Sequence, residues 1–114
     1  MTIKQDWTVA LRSGDYAQGH YQLRDINNRY DAAGVLCDLA VKAGIIDEPE
    51  FRGPVEEGVF RQFYGYIYDG MASWVPESVV EWSGMGRHQI NRVAMMGDNK
   101  KTFADLADYI DKEF

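Results

Sequence analysis

The chain is poor in cysteine, in basic charge and in uninterrupted apolar sequence, and each shortage removes a class of function. Its single thiol, Cys37 in 114 residues, allows no intrachain disulfide and no zinc site built from several thiolates, which fits a reducing cytoplasm. Nowhere does an apolar run approach the roughly 18 residues that a membrane span requires, and the opening MTIKQDWTVALRSGDY lacks the continuous apolar stretch of a secretory signal. A cytoplasmic, untargeted protein with no membrane contact is expected. Lys and Arg number 12 against 18 Asp and Glu, a formal net charge of -6, so most of the surface repels phosphate backbones and nucleic acid is a poor partner. The acids are dispersed along the chain and form no block that would imitate a nucleic acid.

What remains is a hydrophobic content of 46% in a length sufficient for one core, so a single domain over residues 1–114 is expected. Its patterning predicts an α+β fold, mainly helical with one or two short β-hairpins. Asp6 is placed as the cap of a first helix in which Trp7, Ala10 and Leu11 share a side, with Ser13-Gly14 as its stop. The segment YAQGHYQLRDINNRY predicts a small hairpin or loop with Tyr30 on its return. In RYDAAGVLCDLAVKAGI, Ala33, Leu36, Leu39, Ala40 and Ala43 recur at helical spacing, which predicts a helix from Ala32 to Ala43 capped by Asp31. Gly34 weakens that helix by about 1 kcal/mol relative to Ala, which points to close approach of another backbone.

The acidic string DEPEFRGPVEEG, with its two prolines, predicts a surface loop. In the block that follows, the alternation of Tyr64, Tyr66 and Tyr68 favours a strand that turns at Asp69-Gly70 and returns through Ser73 to Val75. Three helices complete the pattern: one begun by Pro76 and carrying Val79, Val80 and Trp82, one through Ile90, Val93 and Ala94, and a last one capped by Thr102 and Asp105.

The blocks WTVALRSGDYAQGHYQLRD, YDAAGVLCDLAVKAG, WVPESVVEWSGM and TFADLADYID, in that order and over nearly the whole chain, resemble a family of short uncharacterised proteins of tailed phages and prophages, including those of actinobacteria. The resemblance implies a phage origin and a role inside the infected or lysogenic bacterium, and it attaches no activity. Members of that family commonly carry two cysteines and a leucine where this chain has Asp31, Ala32 and Ala33. Loss of both thiols argues against a metal held at Cys37, whose expected role is that of a small buried hydrophobe.

No catalytic residue, metal site or cofactor is assigned. A nucleophilic Cys37 would need a base and a stabilised thiolate, which one cysteine and the distant His20 and His88 do not supply. Asp105, Asp108 and Asp111 lack the alternation of a calcium loop, and GMGRHQ lacks the Lys-Ser/Thr ending of a phosphate loop. Asp38 beside a buried face must be solvated or paired, and Arg24 is the expected partner. Two functions of different kind follow. The leading one is a non-catalytic protein that binds a host or phage protein through Tyr64, Tyr66, Tyr68 and Trp74, residue types favoured at interfaces. The alternative is a small-molecule or nucleotide-binding domain, or an enzyme, with a polar cleft of Arg24, Asp38 and His88.

Overall fold

The computed structural model describes residues 2–57 and 61–114, with the backbone alone described for 52–57 and 61–64. Helix α1 (Ile3–Arg12) starts at Thr2, whose hydroxyl accepts from the Gln5 N–H while the Gln5 side chain accepts from the Thr2 N–H. This reciprocal cap satisfies two of the orphan donors at a helix start, and it places Asp6 inside the first turn, not at the cap. Strands β1 (Ala17–Gln18) and β2 (Arg29–Tyr30) then pair in parallel. The expected return of Tyr30 is present: Tyr30 meets Arg24 in an antiparallel bridge across the turn at Asp25 to Asn28, and it pairs in addition with Gln18 in parallel.

Helix α2 (Ala32–Lys42) is capped by Asp31, whose carboxylate accepts from the Gly34 N–H at 2.7 Å. The close approach expected at Gly34 is there: a Cβ on it would lie 1.7 Å from the Leu23 carbonyl oxygen. The seven residues from Ala32 to Ala40 that are buried, Cys37 among them, make this helix the centre of the core. Trp7 reaches it from α1 and donates its indole N–H to the Ala32 carbonyl at 2.9 Å, so the largest core ring is also satisfied polar atom by polar atom.

The acidic segment expected as a loop contains strand β3 (Glu50–Glu57), antiparallel to β4 (Arg61–Ile67). Two features reconcile its composition with pairing. Gly53 and Pro54 fall where the register shifts between Arg52 and Val55, and in a two-stranded sheet every strand is an edge, which tolerates proline. The turn at Asp69-Gly70 also forms, with φ of 47° and 83° and a bridge from Tyr68 to Met71, as a primed turn requires. The chain after it does not return as a strand; β4 is paired by the segment before it.

Helices α3 (Glu77–Ser83), α4 (Arg87–Asp98) and α5 (Phe103–Glu113) follow, with Pro76 capping the first and Thr102 and Asp105 forming a reciprocal cap on the last. Helix α5 lies along α1, and α4 packs against both α2 and α5. One core gathers Trp7, Leu23, Leu36, Tyr68, Val79, Ile90 and Ile110. This is a small α+β domain dominated by helix. Among the described residues no helix is long and apolar enough to cross a membrane.

Candidate functional site

Helix α4 buries Ile90, Val93 and Ala94 and turns His88, Asn91, Arg92, Met95 and Asn99 outward, the spacing of one helical face. Trp74 is brought over this face by the connection leading into α3. Its neighbour Val75 is fully buried, and the Arg87 guanidinium donates to the Val75 carbonyl at 3.0 Å and to the Glu77 carboxylate at 2.8 Å. The backbone that follows Trp74 is therefore anchored, by the core at Val75 and by Arg87 in the first turn of α4.

Trp74 is 45% exposed and Met95 54% exposed, and together with His88, Arg92, Met96 and the two asparagines they line a concavity of about 480 Å³. A smaller one of about 200 Å³ shares His88 and Arg92 and continues past Glu113 to Tyr109 and Phe114, whose rings meet edge to face at 6.0 Å. No carboxylate lines the larger concavity. Among the described residues Arg92 makes no ion pair, whereas Arg12, Arg29 and Arg87 each have an acidic partner. The surface offers no nucleophile paired with a base, and no group of three His, Cys, Asp or Glu side chains suited to a metal occurs among the described residues. What it offers is an aromatic ring, a polarizable thioether and a planar cation side by side, the types enriched where proteins bind one another.

The residues expected from the sequence do not fall at one place. Trp74 and His88, expected for different functions, meet in the concavity just described. Tyr68 is fully buried and joins the core, so it is corrected from a contact residue to a packing one. Its side chain sits in the same buried cluster as Leu23, Leu36 and Val75. Tyr66 is half-buried: its ring carries the Arg24 guanidinium at 4.0 Å from the centroid and meets Phe51 edge to face at 5.3 Å. The Tyr64 side chain, like that of Phe63, lies outside the described residues, as does Phe60 altogether.

The expected pairing of Arg24 with Asp38 is also corrected. Arg24 stacks between Tyr66 and Tyr30 and donates from Nε to Asn28 at 3.1 Å. Asp38 instead accepts from the Tyr16 hydroxyl and the Lys42 ammonium, the latter at 3.1 Å one helical turn away. Tyr16 and Tyr30, edge to face at 5.0 Å, stand between the two groups. A nearby cation on the same helix face satisfies Asp38 without the distant one. The concavities that His88 lines include neither Arg24 nor Asp38.

A second groove, of about 530 Å³, runs between α1 and α2 past Val9, Tyr16, Leu39, Lys42 and Trp82. Its cation is already committed to Asp38 and Tyr16. The α4 face is the better site because its cation is free and its indole is exposed. Arg92 and Met95 were not singled out from the sequence. Their signal was the complement of the buried 90, 93 and 94 positions, which marks an outward face but not an occupied one.

The class defined by fold and surface is a small α+β domain that presents, on an acidic body, an exposed indole beside an arginine unpaired among the described residues. The chain belongs to a family described as a domain of unknown function, DUF8296, whose model matches residues 1–114. No curated protein and no solved structure matches it significantly.

Proposed function

We propose that this chain is a phage-encoded accessory protein that binds a host or phage protein in the cytoplasm of the bacterial cell and acts by occluding or remodelling it, with no bond made or broken. The observation that carries the reading is the solvent-exposed Trp74 held beside Met95 and the unpaired Arg92. Truncating an exposed aromatic anchor costs about 2 kcal/mol or more of binding, roughly thirtyfold in affinity.

The test is affinity purification from infected cells with wild type and Trp74→Ala, quantifying each co-purifying protein beside thermal unfolding of both variants. A partner that falls at least tenfold with Trp74→Ala, while the melting temperature holds within a few degrees, supports the reading. Equal recovery with both variants removes Trp74 from the function.

A further inference from the structure

Building on that protein-binding reading, we propose that the α4 face takes an acidic peptide segment of its partner that carries a large apolar side chain. The argument begins with charge. At a net charge of -6 the body of the protein repels an acidic ligand, and the concavity at Trp74 is lined by Arg92 and His88 with no carboxylate among them. Glu113 lines the adjoining concavity with Arg92 and His88 but is ion-paired to neither among the described residues, so attraction for a negative segment is concentrated on the Trp74 side of Arg92. Arg92 is exposed and has no ion-pair partner among the described residues, so its planar fork is available to a carboxylate from outside.

Geometry sets the length. Positions 88, 92, 95 and 99 run along one side of α4 over about 16 Å at a rise of 1.5 Å per residue, the reach of about five residues in extended form. Trp74 and Met95 supply the seat for the apolar side chain, and Arg92 with His88 supplies the place for its acidic neighbours. A basic segment would find no counter-charge in this concavity, and a purely apolar one would leave Arg92 unpaired beneath it.

Selection from a random heptapeptide library displayed on a carrier, against wild type, Trp74→Ala, Arg92→Gln and Arg92→Glu, tests the chemistry directly. Wild type should enrich peptides that place Asp or Glu beside Leu, Phe or Trp. Synthetic copies of these should bind at least tenfold more weakly to Trp74→Ala and several-fold more weakly to Arg92→Gln, and Arg92→Glu should shift the enrichment toward basic peptides. Circular dichroism of each variant establishes that it is folded. The proposal is overturned if nothing is enriched, if the enriched peptides carry no acidic excess, or if Arg92→Glu selects the same sequences as wild type. Sedimentation showing a dimer that Trp74→Ala dissociates would overturn it too, by giving the face to a second copy. Partner recovery from infected cells that depends on Trp74 and is indifferent to Arg92→Glu would sink the acidic chemistry alone; recovery indifferent to both would sink the protein-binding site itself.

Discussion

At the scale of single residues, burial decides what two titratable side chains can do. Burial, reinforced by the negative charges of Asp31 and Asp38, pushes the Cys37 thiol well above its ordinary value, so the group is a thiol and not a thiolate at neutral pH. Native protein should therefore react with iodoacetamide only as fast as it opens, and Cys37→Ser should cost on the order of 1 to 3 kcal/mol by burying a hydroxyl. Rapid alkylation of folded protein would show the thiol to be accessible. Asp31 carries the larger consequence for pH. Burial, and after it the charge of Asp98, outweighs the Gly34 N–H and raises the Asp31 carboxyl from 3.8 to about 7. Between these values the folded protein holds a proton that the unfolded chain has released, so stability falls as pH climbs through the window and stays at the lower level above it. At about 1.4 kcal/mol per pH unit the loss reaches a few kcal/mol. Asp31→Asn keeps a good helix cap without the charge, and its margin in melting temperature over wild type should be markedly larger at pH 8 than at pH 5. Parallel melting curves at the two pH values would show that Asp31 does not titrate in this window.

Elements show how far local sequence carries and where it stops. Helices α2, α3 and α5 were legible because cap, apolar spacing and stop agree within each stretch, as Asp31, Pro76 and Thr102 illustrate. Gly34 was legible as a crowding residue although its neighbour was not. Gly34→Ala should be among the most damaging single changes in the chain, costing upward of about 3 kcal/mol, because the added methyl would occupy the place of the Leu23 carbonyl. A melting temperature lowered by less than a few degrees would mean that the loop before β2 can yield. Strand β3 was not legible, since its prolines, glycines and acids describe a loop and only pairing with β4 makes it a strand. The same hairpin pairing turned the expected partner of β4 from the segment after it to the one before. Sequence placed Trp74 and His88 as surface candidates but gave no means of bringing them together, because their meeting depends on how α4 lies under the connection to α3.

For the whole molecule, the packing of α1 along α5 joins segments from opposite ends of the described chain. Arg12 reaches Asp108 and Asp111, both at 2.8 Å, and the Lys4 ammonium donates to the Phe114 carbonyl. These exposed contacts add little by themselves; the apolar side chains Trp7, Leu11, Leu106 and Ile110 in the shared core carry the association. During synthesis α1 therefore emerges with its apolar face bare; α2 follows soon and can take Trp7, but about ninety residues must follow before α5, the helix it lies along, exists. A helix of 10 residues is marginal alone in water, so order at the beginning of the chain has to wait for the end. A chain stopped before Thr102 should accordingly lose more helical signal than the 11 residues of α5 account for, with α1 melting alongside the deleted helix. Circular dichroism of that truncation that shows only the loss of α5 would mean the early helix assembles independently. Incomplete translation products therefore expose part of an amphipathic helix to the cell's chaperones and proteases, and only chains that have reached α5 can complete its burial.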